Sequence, residues 1–447
     1  MAKTYESYKD SGIAWIGEIP SEWKVKRLGN FYNPRNEKVS DKDFAPLSVT
    51  MKGIVPQLET AAKTNDGDNR KLVRKGDFAI NSRSDRRGSC GISEYDGSIS
   101  LINTVLCPKG KMDAGFYNWL FHTTMFADEF YKWGHGIVDD LWTTKWSDMK
   151  NIYVVEPPMQ EQHSIASFLD TKCGEIDSLI SLQEEMISEL QAYKQSVITE
   201  AVTKGLDPNA KMNCCASREK NDACISSSET QPAIERKFKD SGVEWIGEIP
   251  EKWSKDKVFR VFANIGSGTT PKATEDSNFE GEINWIQSGD INGSIMNSCK
   301  NKISQQVLNK YSALKIYKAP FIIVAMYGAS VGNISVSMID GCVNQACCVM
   351  SDSVHYFDYL FYAIKSAKDY LIYRAEGGGQ PNISQDKLKN LWLPIPPLSE
   401  QQAIASYLDV KTSQIDSLIS LKQQKIDELK SYKKSIIYEY VTGKKRV

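Results

Sequence analysis

No stretch of this 447-residue chain is apolar over the roughly 18 residues that a membrane span needs. Its opening, MAKTYESYKD, lacks the apolar h-region of a secretory signal. Together the two absences lead to the expectation of a cytoplasmic protein. Histidine is scarce: there are four, His122, His135, His163 and His355, and none is spaced like a metal ligand set. The ten cysteines contain no CxxC; Cys214–Cys215 and Cys347–Cys348 are adjacent and the rest are scattered. That is the pattern of reduced, mostly buried thiols, and it argues against a zinc site or a disulfide framework. Net charge is close to zero, at −1, which is low for a nucleic-acid binder. Any such contact must come from local patches or from a partner's surface.

Catalytic signatures are missing too. No Asn/Asp-Pro-Pro-Phe/Tyr loop exists, since Pro157–Pro158 follows Glu156 and Pro396–Pro397 follows Ile395. No GxGxxG loop is present. Glu22–Lys24 and Glu428–Lys430 fit the short half of a metal-nuclease motif, but no Pro-Asp dipeptide accompanies them. Nothing is spaced as a Ser/His/Asp or Cys/His set. The chain is expected to catalyse nothing by itself and to hold no metal or cofactor.

What the chain does have, it has twice. Residues 8–20 read YKDSGIAWIGEIP and residues 238–250 read FKDSGVEWIGEIP, identical at ten of thirteen positions at an offset of 230. Residues 161–200 and 400–439 share 23 of 40 positions at an offset of 239. The stretches between, roughly 24–150 and 254–390, look unrelated. Internal repetition of this kind implies a two-fold scaffold carrying two different working surfaces. With 41% hydrophobic and 25% charged residues the composition is that of a globular protein.

A helical pattern begins after each Pro-Pro. Ile176, Leu179, Met186, Leu190, Tyr193 and Val197 alternate by threes and fours, and Ile415, Leu418, Leu429, Tyr432 and Ile436 occupy equivalent places. This spacing predicts helix-pairing seams, with Gln183 and Lys422 as a shared polar seam position. Ile180, Ile187, Ile419 and Ile426 form a second apolar stripe. Each helix of about 45 residues would be roughly 65 Å long, too long to stand without packing. Chain order then predicts an antiparallel pair with a globular domain at each end. By the same symmetry residues 8–20 belong beside the C-terminal end of the second helix, making the chain nearly a closed circle. A helix pair that is only a spacer is the other reading.

The two variable stretches read as mixed α/β units. Strands are expected at 77–81, 99–106 and 151–155, and at 284–287, 321–327 and 343–350, with helices at 116–131 and 356–374. Residues 81–89 (NSRSDRRGS) place Arg83, Arg86 and Arg87 close together, and Lys71, Arg74 and Lys75 precede them. An arginine fork suits a guanine edge or a phosphate, while a solvated turn is the plainer reading. Residues 266–272 (GSGTTPK) offer Thr269, Thr270 and Lys272 on a loop whose backbone suits phosphate oxygens. Tyr327 opens another loop (YGASVG), and 377–384 (GGGQPNIS) brings Gln380 and Asn382, whose amides suit adenine. Ordinary turns explain such loops equally well. Trp133, His135, Trp142 and Trp146 are read as core and turn packing, with base stacking the minority reading. Residues 205–237 read as a flexible connector.

Together these segments resemble one family, the specificity subunits of type I restriction–modification enzymes. YKDSGIAWIGEIPSEW and FKDSGVEWIGEIPEKW are similar to the openings of its target-recognition domains. PPMQEQHSIASFLD and PPLSEQQAIASYLD, each followed by an IDSLI helix, resemble its two central helical regions, and NWIQSGDIN and GQPNIS its domain motifs. The connector at 205–237 is a departure, longer than the join needs. The resemblance implies an α+β fold in which two mixed α/β target-recognition domains are separated by two long antiparallel helices with an internal pseudo-two-fold repeat. The domains are then 1–157 and 238–396, the spacer helices 158–204 and 397–447, the latter with its basic tail. It further implies a non-catalytic subunit that reads a bipartite site in double-stranded DNA, one domain per half-site, with the helix pair as a ruler. Two methylation subunits and motor-nuclease restriction subunits would dock on it, and S-adenosylmethionine, ATP and Mg would be bound by those partners. A coiled-coil adaptor joining two protein partners is the alternative.

Overall fold

The computed structural model describes residues 4–57, 67–83, 86–136, 142–206, 236–272, 279–375 and 382–447. All but the ends of the connector lie outside these residues. The chain divides into two compact units, Met1–Met186 with Leu421–Val447, and Ile187–Ser420. The division runs through both long helices, so each unit contains part of each.

In the first unit a four-stranded antiparallel sheet is ordered Cys90–Ile92, Phe78–Asn81, Asn103–Pro108, Tyr32–Pro34. Phe78–Asn81 is buried at every position, as a continuous apolar run with both faces covered requires. A three-stranded sheet, Gly97–Ile99, Arg70–Val73, Lys38–Val39, and a hairpin, Leu47–Thr50 with Gly53–Pro56, accompany it. Lys24–Arg27 pairs with Tyr153–Glu156, closing the variable region at its base. The strand expected at 99–106 is interrupted: Leu101 and Ile102 form an exposed turn between two strands. The helix expected at 116–131 is likewise two, Ala114–Phe121 and Thr124–Lys132, because Thr123 breaks the first and caps the second through Phe126 N.

The second unit repeats the plan with different strands. Phe321–Ala325, buried throughout, lies at the centre of a five-stranded sheet ordered Asn264–Gly266, Cys347–Ser351, Phe321–Ala325, Ile334–Ser337, Ile295–Met296. A three-stranded sheet is ordered Asn301–Ile303, Ile283–Ile286, Cys342–Val343. Ser254–Lys257 pairs with Trp392–Ile395, the counterpart of the basal pair in the first unit. Here too the expected elements are split. Residues 343–350 contain a turn at Asn344–Ala346, and 356–374 is two helices, Phe357–Ser366 and Lys368–Tyr373.

The long helices are Met159–Lys204 and Leu398–Val441. In the first unit Asp177 meets Lys433 at 2.6 Å, while Gln183, further along, meets Lys422 at 3.3 Å. One numbering rises as the other falls, so the segments are antiparallel. The second unit holds the equivalent ion pair, Lys194–Asp416, also at 2.6 Å. Other contacts recur in both copies. Trp23 Nε1 donates to Glu161 at 2.7 Å and Trp253 Nε1 to Glu400 at 3.1 Å. The Gln162 and Gln401 amides donate to Pro157 O and Pro396 O, each at 2.8 Å. The Tyr117 and Tyr359 hydroxyls donate to Val155 O and Pro394 O. The repeated hairpin of the first unit, Tyr8–Asp10 with Glu18–Pro20, lies against the end of the second helix. There Gly443, at φ +73°, sits on Pro20 and Trp23, where a Cβ would collide with the Pro20 ring.

The seam does not follow the expected set. Ile176 and Ile415 are buried, and Met186, Leu190 and Leu429 half-buried, but Leu179, Tyr193, Leu418 and Tyr432 are 47%, 56%, 48% and 58% exposed. The inward positions of the first helix are Leu169, Cys173, Ile176, Ile180 and Gln183 in the first unit, and Leu190, Lys194 and Val197 in the second. On the second helix they are Leu408, Thr412, Ile415 and Ile419, then Lys422, Ile426, Leu429, Lys433 and Ile436. This stripe has the same period, but Lys194 and Lys433 take the places assigned to Tyr193 and Tyr432. Each lysine lays its apolar stem along the seam and pairs its ammonium with an aspartate.

Candidate nucleic-acid interface

In the first unit the basic residues stand at two ends of one strand. Lys75 lies in the exposed turn before Phe78–Asn81, and its backbone N–H donates to Asp96 at 2.8 Å. Arg74 pairs with Asp96 at 3.3 Å and lies over the Phe44 ring. Asp77 organises this turn, accepting from Arg74 N at 2.8 Å and from both Nε and Nη2 of Arg35. That bidentate bond is the main reason the Arg35 pKa is raised. Lys71 is turned inward to Asn103 O, and burial lowers its pKa.

Arg83, Arg86 and Arg87 follow the strand, so four strand residues, about 13 Å, separate them from Lys75. The structure therefore does not join Lys75 to the arginine cluster. Arg83 is held through its backbone, accepting from the Tyr131 hydroxyl at 3.0 Å and donating to Asn81 Oδ1 at 3.0 Å. Arg86 and Arg87 are exposed. Arg87 is ion-paired with Asp128 and lies 5.6 Å over the Tyr131 ring, so a phosphate would have to displace a carboxylate to reach it. The tryptophan segment packs around this turn: Trp142 Nε1 donates to Tyr131 O, Trp133 Nε1 to Glu129, and His135 and Thr143 exchange backbone hydrogen bonds.

The second unit gathers its candidates more closely. Thr269 O accepts from Trp285 Nε1 at 3.2 Å, and Lys272 N donates to the Tyr311 hydroxyl. Gly268 abuts the Val343 carbonyl, where no side chain fits. Thr270 Oγ1 donates to Gln345 Oε1 at 2.5 Å. Met326 N donates to Ala346 O and Ile383 N to Met326 O, each at 2.7 Å, which brings exposed Asn382 to the same place. Thr269, Thr270, Tyr327 and Asn382 thus converge, with Gln345 among them. Gln380 lies outside the described residues. Gln345 carries no binding motif in the sequence, although polar Asn344–Gln345 interrupts an apolar run, which is a turn signal.

Residues 250–431 match the family described as Type I restriction modification DNA specificity domain. The Type I restriction enzyme MjaVIII specificity subunit of Methanocaldococcus jannaschii is 26% identical over 455 residues, covering 96% of this chain and 94% of that protein. The Type I restriction enzyme EcoBI specificity subunit of Escherichia coli is 24% identical over 269 residues, covering 59% of this chain and 52% of that one. A solved structure from work on complex assembly and conformational transition of the type I R-M system shares the fold, with TM-score 0.67 and 16% identity over 95% of this chain and 98% of that one. Over about 96% of its length the chain is thus similar to a type I restriction enzyme specificity subunit, and its residues 250–431 match the DNA specificity domain family. Among the described residues no helix is long and apolar enough to cross a membrane.

Proposed function

We propose that the chain reads a bipartite site in double-stranded DNA, its first variable region (within 1–157) contacting one half-site and its second (within 238–396) the other. The observation that carries this reading is duplication of the scaffold contacts, Trp23–Glu161 with Trp253–Glu400 and Lys433–Asp177 with Lys194–Asp416, around sheets that differ in strand number and order. Equal scaffolds suit equal partners; unequal surfaces suit unequal sequences. In the first unit Arg86 and Arg87 meet phosphate or guanine edges, and in the second Thr269, Thr270, Lys272, Tyr327 and Asn382 face the duplex.

Two methylation subunits dock on the repeated helices, and restriction subunits join them. Leu179, Leu182 and Tyr193, with their counterparts Leu418, Leu421 and Tyr432, give identical exposed apolar residues for that purpose. The chain catalyses nothing, and S-adenosylmethionine, ATP and Mg belong to the partners, whose basic surfaces also offset its net charge of −1. The test is selection of duplexes from a random pool by the full chain assembled with its methylation subunits. A motif of two specified halves around unread bases is expected. Retention of DNA without sequence preference would favour the adaptor reading instead.

A further inference from the structure

Gln345 occupies the turn between Cys342–Val343 and Cys347–Ser351. Its backbone is fixed from several sides. Asn344 Oδ1 accepts from Ala346 N at 3.1 Å, Ser267 Oγ donates to Gln345 O at 3.3 Å, and Ala346 O accepts from Met326 N at 2.7 Å. The side chain is exposed, yet it is tethered by Thr270. A glutamine ordered only on binding would lose rotamer entropy, and the Thr270 tether meets part of that cost in advance.

We propose that Gln345 reads an adenine in the half-site facing the second unit, through a side-chain amide held ready by Thr270. The proposal rests on the DNA-recognition reading above and assigns one base of one half-site. The amide oxygen has two acceptor positions and the amide nitrogen two N–H groups. Thr270 takes one acceptor position, so among the described residues an acceptor position remains beside a donor. Turning the amide over exchanges its ends but leaves the same pair. Adenine presents N6–H and N7, one donor beside one acceptor, and matches it. Guanine presents O6 and N7, two acceptors, and would oppose the amide oxygen. Cytosine offers only a donor, and thymine an acceptor beside a methyl group.

The experiment compares the wild-type chain with Gln345→Ala and Gln345→Glu, each full length and assembled with its methylation subunits, by selection from random duplexes and by competition binding. With Gln345→Ala, one adenine position in one half should accept any base, and preference for the cognate duplex should fall about 5- to 150-fold while the other half is unchanged. Gln345→Glu keeps the length but exchanges the donor for an acceptor, so the same position should move toward cytosine. An unaltered motif in both variants overturns the proposal. So does an equal loss of affinity for every duplex, which marks a phosphate contact or a misfolded loop. If the wild-type complex selects no bipartite motif, the preceding reading fails as well. A wild-type motif with unchanged variants sinks the role of Gln345 alone.

Discussion

Glu161 stands in the first turn of the first long helix and holds two aromatic residues from the start of the chain. The same Oε2 accepts from Trp23 Nε1 at 2.7 Å and from the Tyr5 hydroxyl at 3.1 Å. Trp23 is fully buried, and burial beside this carboxylate raises the Tyr5 pKa. Glu161→Ala removes the acceptor and leaves the indole N–H without a partner, costing about 1–3 kcal/mol. The loss of a negative charge at a helix N-terminus adds about 0.3–1 kcal/mol. The sum, roughly 1–4 kcal/mol, is a large share of the stability of a domain this size. Glu161→Gln keeps an oxygen in place and should cost about 1 kcal/mol or less. The assay is urea unfolding of the full chain, followed by tryptophan fluorescence and by hydrogen exchange over residues 4–27. Loss of exchange protection there should track the Ala variant and spare the Gln variant. If both variants unfold within about 0.5 kcal/mol of wild type, the orphaned-donor argument is wrong.

The seam assignment predicts that Ile426→Ala, at a position 1% exposed, costs about 2–4 kcal/mol in urea unfolding, whereas Tyr432→Ala changes stability by under about 0.5 kcal/mol and weakens capture of the methylation subunit in a pull-down. Arg87→Ala should cost under about 1 kcal/mol of stability, because its pair with Asp128 is exposed, yet lower the slope of log affinity against log salt by about one and affect the first half-site alone. Lys365, whose ammonium donates to Gly293 O, has its pKa pushed down to about 8, chiefly by burial and then by nearby Lys194. The unfolded chain therefore holds more protons than the folded one from about pH 8 to the ordinary lysine pKa. Stability should rise with pH across that window, and the rise should vanish in Lys365→Met when unfolding is followed at pH 7 to 10.

Much of the fold could be read without coordinates because repetition is independent of packing. Two like segments at an offset of 239, each after a Pro-Pro and each about 45 residues of helical spacing, required two long helices. Strand locations followed from apolar runs, but their interruptions did not. Leu101–Ile102 is apolar and nonetheless turns outward, and Thr123 has a capping partner that only the folded helix supplies. The seam was misplaced for a similar reason. Steps of three and four fit both 176-179-183 and 176-180-183, and choosing tyrosine over lysine favoured the wrong stripe. Lys194 and Lys433 became acceptable inward only because Asp416 and Asp177 stand opposite them.

By itself, then, the order of residues settled that the molecule is built on duplicated helices with unlike inserts, since identity at fixed spacing survives any folding. Tertiary structure alone decided which faces meet and which polar groups gather. Lys75 and Arg83, neighbours in the chain, are held apart by the rise of a strand. Thr270 and Gln345, distant in the chain, are drawn together because the strands nearest them, Asn264–Gly266 and Cys347–Ser351, pair in one sheet, and hydrogen bonds act over a few ångströms however long the chain between them.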